Sequence, residues 1–515
     1  MKLETARVIL LFMQFLIDTV LSVIYIIIFL ILSAWIWRLW VYYVNQKYIN
    51  SLSWVLLDIK LPREIDKSPV AMETALHSLL QSGGVSVWYK KYFKGNIPVY
   101  SSLEIASIEG IVHFYLRVEK KYRPIMEASL YAHYPGIEIV EAPDYTSLIR
   151  YHHLTKDVSL WGATHSLSKK WSPTVKATGK KTENPKEEMK ADMYPLKTYV
   201  DYKLEENPKE EHKVDPINTI LEFMGSLGKG EHAWFQIVVS DEGNFNGKKF
   251  PKLFKNKIKD GLKKEYSVSD MAKERREQIR IADVMQKGSD AVSKYGGVET
   301  RTVPATEVGG KPTTVPIKYE SNVVIYKKEN ELNAEDKNEI DLINKKMSKP
   351  LLASAIRLIY ITKKENFNPA HIQNVLGVLK PYGLPAGNSF SPLPTDPYDY
   401  PWEDTGKRRV PWRSEELFDA YVEREGIMPM VHESKFMSRW ADDFFWSSSM
   451  KARKTFFMLY QIFLHPFSRV EPEGLSVLNL EEIASLWHFP GLVATTPTLP
   501  RIDSTKGIAP VNLPQ

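Results

Sequence analysis

The longest apolar stretch of the chain runs from residue 19 to residue 37 (TVLSVIYIIIFLILSAWIW) and carries no formal charge. Because a helix rises about 1.5 Å per residue, this stretch would extend about 28 Å, close to the ~30 Å hydrocarbon core of a bilayer. Bulky aromatic residues follow it, which favours an uncleaved anchor over a signal peptide. The pattern predicts one N-terminal transmembrane helix. The positions assigned to the span are Thr19, Val20, Ile24, Ile28, Leu32 and Trp37.

The flanking charges do not predict the orientation of this helix. Lys2 and Arg7 precede the apolar stretch, and Arg38 and Lys47 follow it, so the positive-inside rule gives a near tie. The chain has no cysteine, so disulfide usage excludes neither side of the membrane. Asp18, at the edge of the stretch, has two interpretations: a polar contact between anchors or a position at the interface.

After residue 48, helical and strand periodicities follow one another in a similar order in two parts of the chain. The predicted strands are 111–118, 137–142, 233–240 and 355–362, and the predicted helices are 75–80, 122–134, 217–227 and 369–382. This weak repeat predicts an α+β fold in which two helix-strand-helix-strand halves follow the transmembrane helix. An aromatic-rich helical region forms the C-terminal part of the prediction.

Composition and periodicity divide the chain into segments. The predicted segments are 1–47 (transmembrane anchor), 48–165 (first α+β half), 166–213 (partly flexible charged linker), 214–382 (second α+β half with a charged insertion at 252–322), 383–490 (helical C-terminal region) and 491–515 (extended tail). Within the C-terminal region, Asn479 and Glu482 have the spacing of a helix capping box, with Leu478 and Ile483 as a hydrophobic staple.

The chain contains no sequence motif that requires catalysis. A phosphate-binding P-loop needs a Lys followed by Ser or Thr after a glycine-rich loop, and the nearest segments, 225–231 and 243–250, lack it. Serine nucleophile elbows and H-E-x-x-H helices are also absent. His152 and His153 are the only adjacent histidines, and a surface or core role is favoured for them over metal binding. The sequence therefore predicts no catalytic, cofactor-binding or metal-binding residues.

Several segments together resemble a known family. They are LDIKLPREIDKSPVAMETALHSL (57–79), the long stretch 103–146, the stretch 194–239, RLIYITKKENFNPAHI (357–372) and LNLEEIASLWHFPG (478–491). This set is similar to the membrane-anchored N-terminal region of bacterial type IV secretion and conjugation-type ATPases, which are relatives of hexameric DNA translocases. The resemblance covers most of residues 50–512, although none of its segments is a catalytic motif.

The resemblance implies a location and a partner. In those relatives a proline-rich strand like TKGIAPVNLP (505–514) leads into a P-loop ATPase domain, whereas this sequence ends at Gln515. We therefore expect a non-enzymatic component of the bacterial cytoplasmic membrane, with its bulk in the cytoplasm, that docks or regulates a separately encoded motor ATPase. The expected docking contacts in the tail are Val493, Leu499, Ile502, Ile508, Val511 and Leu513.

Other functions are compatible with the same residues. One alternative is a nucleic-acid-binding protein at the membrane surface that uses the basic stretches Lys252–Lys264 and Lys273–Arg280. A net charge of +6 over 515 residues does not by itself imply such a partner. Another alternative is an enzyme whose site assembles from scattered residues. Strand edges or aromatic helices could also pair to form a homo-oligomer.

Overall fold

The computed structural model describes most of the chain in separate ranges. These ranges are 2–63, 65, 67–78, 88–96, 100–155, 157–171, 189–204, 214–241, 268–285, 300–302, 314–316, 323–326, 332–398, 409–424, 475–491 and 499–502. The described helices are α1 Lys2–Ser51, α2 Pro69–Leu76, α3 Trp88–Tyr92, α4 Arg123–His133, α5 Ile217–Gly225, α6 Val268–Arg280, α7 Ala334–Met347, α8 Ala370–Gly377, α9 Arg409–Val422 and α10 Leu480–Leu486.

Most of the strands belong to one ten-stranded sheet, and the others form short two-stranded pairs. The described strands are β1 Trp54–Pro62, β2 Tyr100–Ile108, β3 Ile111–Glu119, β4 Glu138–Ala142, β5 Val158–Leu167, β6 Lys170–Trp171, β7 Met189–Lys190, β8 Glu231–Asp241, β9 Ile281–Met285, β10 Thr300–Thr302, β11 Thr314–Pro316, β12 Val323–Tyr326, β13 Leu351–Lys363, β14 Phe390–Pro394, β15 Leu475–Asn479 and β16 Arg501–Ile502.

The first half of the sheet has the chain order β1-α2-β2-β3-α4-β4, which is a split β-α-β unit. In space its strands lie in the order β4-β1-β3-β2, and every neighbouring pair is antiparallel. The second half repeats this arrangement with β5, α5, β8, β13, α8 and β14. Its spatial order, β14-β5-β13-β8, is again antiparallel throughout.

The two halves share one continuous sheet because β2 pairs with β8 in antiparallel register. The pairing extends from Tyr100 opposite Ser240 to Ile108 opposite His232, and Glu104 lies opposite Gln236 at its centre. Two C-terminal strands extend the sheet: β15 pairs with β13, and β16 pairs with β1 in parallel.

The two faces of the sheet carry different cores. On one face, the alternate apolar residues of the strands pack with α2, α4, α5, α8 and α10, and Trp487 and Phe489 contact Phe114 there. On the opposite face, α9 packs Leu417, Phe418 and Tyr421 against the other side of the central strands. The first of these cores contains many more buried apolar side chains than the core under α9. Because hydrophobic stabilisation grows with the apolar surface removed from water, at about 25 cal/mol per Å², the first core contributes more to the stability of the fold.

The fold prediction is wrong in its arrangement. Each half begins with a strand, β1 or β5, that the sequence periodicity did not reveal, and the halves merge into one sheet. The region 383–490, predicted as helical, contributes the strands β14 and β15 as well as two helices. The pairing of β15 with β13 joins segments more than a hundred residues apart, and such pairing leaves no local periodicity to read.

The prediction of a transmembrane anchor is contradicted. The apolar stretch 19–37 does lie within one helix, α1, and the six positions assigned to the span are exposed along it. Among the described residues, however, no helix has the length and the apolar character that a membrane span requires. The finding also overturns the predicted single-pass location in the bacterial cytoplasmic membrane. The prediction relied on the length of one uncharged stretch, which is a necessary but not a sufficient condition for spanning.

The segment 166–213, predicted as a partly flexible linker, contributes to the packed structure where it is described. Its residues 189–204 include buried side chains, among them Met193, Leu196 and Tyr199. The backbone N–H of Tyr199 donates to Ser485 Oγ of α10 at 3.0 Å. Because the neighbouring sequence is densely charged, the sequence pattern did not reveal that these residues are buried.

Candidate functional site

The most unusual feature of the sheet is a buried polar cluster at the junction of its two halves. Glu104 of β2 lies at the centre of the β2–β8 pairing and has no exposed surface. Its carboxylate accepts hydrogen bonds from Ser102 Oγ at 2.6 Å, Tyr145 Oη at 2.7 Å and Gln236 Nε2 at 3.1 Å. A buried carboxylate is stable only when it is paired in this way.

Arg424 provides the positive charge of this cluster. It follows the C-terminal end of α9, with a φ of +52°, and its Nε and Nη2 donate to Glu104 at 3.1 and 3.3 Å. The same guanidinium donates to Asp144 Oδ1 at 3.0 Å. Burial alone raises the pKa of Glu104, but the charge and hydrogen bonds of Arg424 hold that pKa below its ordinary value.

Aromatic side chains enclose the cluster. The hydroxyls of Tyr145 and Tyr421 are 2.7 Å apart, and burial raises the pKa of both phenols well above their ordinary value. Tyr115 stacks on Tyr145, with 4.8 Å between the ring centroids. On the other side, Arg357 Nη1 donates to Gln236 Oε1 at 3.2 Å. The carboxylate, the guanidinium and the amide are all occupied by internal bonds, so the arrangement fastens α9 to the sheet.

A second cluster joins the same helix to the loop that precedes β5. His152 Nε2 lies 3.7 Å from Glu415 Oε1, and His153 Nδ1 makes a close contact with the other carboxylate oxygen. The backbone N–H of His153 also donates to that second oxygen at 2.9 Å. The His153 ring stacks on Trp412, with 4.3 Å between the centroids. The structure therefore brings the adjacent histidines together with a carboxylate that is distant in sequence.

The C-terminal segment is attached to the edge of the sheet. Arg501 and Ile502 form β16, opposite Leu61 and Pro62 of β1. The backbone N–H of Arg63 donates to Ile502 O at 3.2 Å. Of the predicted docking residues, Ile502 is half-buried in this pairing and Leu499 is buried in this chain's own main core. Val493, Ile508, Val511 and Leu513 lie outside the described residues.

The basic insertion is only partly described. Lys252–Lys264 lies outside the described residues, and all of Lys273–Arg280 lies in α6. Within α6, Arg275 Nε donates to Glu339 Oε1 of α7 at 2.7 Å, and Arg276 Nη1 donates to Asn344 Oδ1 at 2.8 Å. These two guanidinium groups take part in packing α6 against α7.

Sequence reasoning missed the residues of the buried polar cluster. A signal existed: Glu104 and Gln236 interrupt mostly apolar strand segments, LEIASI and AWFQIVVS. A polar residue in the middle of a buried strand requires a partner, although the sequence does not reveal which one. Arg424 is 320 residues from Glu104 in the chain.

Comparison of the whole chain with protein-family models, with curated proteins and with solved structures found no match.

Proposed function

We propose that this chain is a non-enzymatic component of a type IV secretion or DNA-transfer-like system, and that it docks or regulates a motor ATPase. The resemblance of residues 57–79, 103–146, 194–239, 357–372 and 478–491 to the N-terminal region of such ATPases supplies the class of partner. The chain has no P-loop sequence with which to hold nucleotide phosphates and their metal ion itself.

The observation that carries this proposal is the attachment of the C-terminal segment. Because β16 pairs with β1 and Leu499 is buried, Ile502, the last described residue, lies at the edge of the sheet. Further along the sequence, residues 508–514 (IAPVNLP) combine apolar residues with two prolines, a composition that suits an extended segment. In the resembled ATPases the corresponding strand leads into the motor domain. We therefore assign Ile508, Val511 and Leu513 to the motor contact.

A co-purification experiment tests this assignment. The full chain, carrying an affinity tag at its N-terminus, would be combined with a motor ATPase of the resembled class from the same source. Replacing Ile508, Val511 and Leu513 together by alanine should abolish recovery of the motor. Replacing Ser504, Thr505 and Asn512 by alanine is the matched control and should leave recovery unchanged. Full recovery by the apolar triple variant would exclude the tail as the docking element.

The non-enzymatic part of the proposal has its own test. The purified full chain should neither bind nor hydrolyse ATP. ATP turnover that stays with the chain through successive chromatographic steps, at a constant specific activity, would contradict it.

A further inference from the structure

We propose that His152, His153 and Glu415 form a binding site for a divalent transition metal of the zinc type. One ligand atom from each residue can be chosen so that all three lie within 4.8 Å of one another. In a tetrahedral zinc site the donor atoms are about 3.4 Å apart, because each lies about 2.1 Å from the metal. The 3.7 Å between His152 Nε2 and Glu415 Oε1 is already close to that separation.

Two elements hold the ligands in place. Glu415 lies three residues after Trp412 on α9, so both side chains share one face of the helix. The two histidines begin a turn that is closed by the bond from Thr155 N–H to His152 O at 2.7 Å. His153 is fixed by stacking on Trp412, and its backbone N–H orients one oxygen of the carboxylate. The other oxygen faces His152, where the metal would bind.

The electrostatics of Glu415 point to a missing positive charge. Its side chain is 6% exposed, and within the described part of the chain its ion-pair partners are the two histidines, with no Lys or Arg. Buried carboxylates are normally paired with a fixed cation or coordinate a metal. Another buried carboxylate of this sheet face, Glu104, follows that rule through Arg424. A divalent ion would provide the charge that Glu415 lacks.

The position of the His153 ring decides which of its nitrogens can bind the metal. Its ring is buried, and its Nε2 has no hydrogen-bond partner among the described residues. Since Nδ1 is the nitrogen on the carboxylate side, it is the one that would bind the metal, and the ring proton would then lie on Nε2. Within the described part of the chain, the polar contact of the ring is with the carboxylate of Glu415. The ring is therefore oriented toward Glu415 rather than into a hydrogen-bond network of its own.

The half-exposed side chain of His152 gives access to the site. Leu154 N–H donates to His152 Nδ1 at 3.2 Å, so a neutral ring carries its proton on Nε2. Metal binding at Nε2 moves that proton to Nδ1 and releases the Leu154 N–H. Because His152 is 50% exposed, water can accept the released bond. Three protein ligands leave a fourth position for water, and the ion would link the turn to α9.

The test is metal binding by the full chain after chelator treatment and dialysis. Zinc titration followed by calorimetry should give one ion per chain, and His152→Ala and Glu415→Gln should each weaken binding by about tenfold or more. His113→Ala is the matched control, since that imidazole also faces a carboxylate, Asp58, at 3.5 Å. The zinc affinity of His113→Ala should equal that of the wild-type chain. His152→Ala changes a half-exposed side chain, so circular dichroism should show an unchanged fold.

Two further measurements separate this site from general binding to surface histidines. Cobalt(II) should give the visible absorption of a tetrahedral N,O site in the wild-type chain and in His113→Ala, but not in His152→Ala. Zinc should raise the midpoint of thermal unfolding of the wild-type chain and of His113→Ala, but not that of His152→Ala. Equal zinc affinity in wild type and His152→Ala, or no binding at micromolar zinc, would overturn the proposal.

Discussion

The ion pair between Arg424 and Glu104 allows a quantitative prediction about the attachment of α9. In Arg424→Ala the carboxylate of Glu104 stays buried and keeps its bonds from Ser102, Tyr145 and Gln236, but it loses the guanidinium that forms its ion pair. Removing one partner of a buried ion pair costs about 3–5 kcal/mol, because the remaining charge is uncompensated. At about 1.4 kcal/mol per factor of ten, opening of this region should increase by about two to three and a half orders of magnitude.

Hydrogen exchange read by mass spectrometry measures this effect locally. Peptides covering α9 and β2 should lose protection in Arg424→Ala, whereas peptides from α4 should keep theirs. Arg123→Ala is the matched control, because Arg123 also pairs with two carboxylates, those of Glu127 and Glu141, but at a more exposed position. Exposed pairs contribute only about 0.2–1 kcal/mol.

A double variant shows whether the cost comes from the charge. Adding Glu104→Gln to Arg424→Ala removes the uncompensated carboxylate, so protection of α9 should partly return. The reasoning is refuted if Arg424→Ala costs less than about 1 kcal/mol, or if the double variant is less stable than the single one.

Three further predictions concern stability. Burial alone lowers the pKa of His488, but the bond to Asp215 at 2.8 Å raises it above its ordinary value. Where Asp215 is ionised, the pair stabilises the fold fully below about pH 6.5, and its contribution is lost as pH rises through the folded pKa of His488. Asp215→Asn should flatten that loss in urea unfolding measured upward from about pH 6.5. Burial lowers the pKa of His165 to about 4, so stability should fall as pH decreases from about 6.5 toward 4, and His165→Phe should remove this slope in the same assay. Asn479→Ala removes the cap on Glu482 N–H and should cost about 1–2 kcal/mol of unfolding free energy, and a cost below about 0.5 kcal/mol would contradict this.

Local patterns in the sequence predicted local structure well. The capping box at Asn479 and Glu482 is confirmed, with both reciprocal hydrogen bonds present. The strands predicted at 111–118, 233–240 and 355–362 are confirmed, since each lies within an observed strand, β3, β8 or β13. Each of these signals depends on residues within one segment, where side-chain periodicity and capping chemistry decide the conformation.

Features that depend on distant residues could not be predicted in this way. The β2–β8 pairing joins strands about 130 residues apart, and its register depends on the shapes of two complete halves. The candidate sites follow the same rule. The adjacent histidines were visible in the sequence, but Glu415 lies 262 residues after His153, and only the packing of α9 brings them together. Residue types alone could identify neither the strand that pairs with β2 nor the carboxylate that faces the histidines.

The residues that face each other at the centre of the β2–β8 pairing, Glu104 and Gln236, are different, and this difference affects whether the chain can pair with a copy of itself. An exposed strand edge can pair with the same edge of another copy of the chain. If β2 of two copies paired about the same central residue, Glu104 would face a second Glu104 inside a buried sheet, and like charges placed directly opposite one another destabilise the pair. Gln236 instead offers an amide donor at 3.1 Å. The first half therefore discriminates against a copy of itself and selects the second half of its own chain.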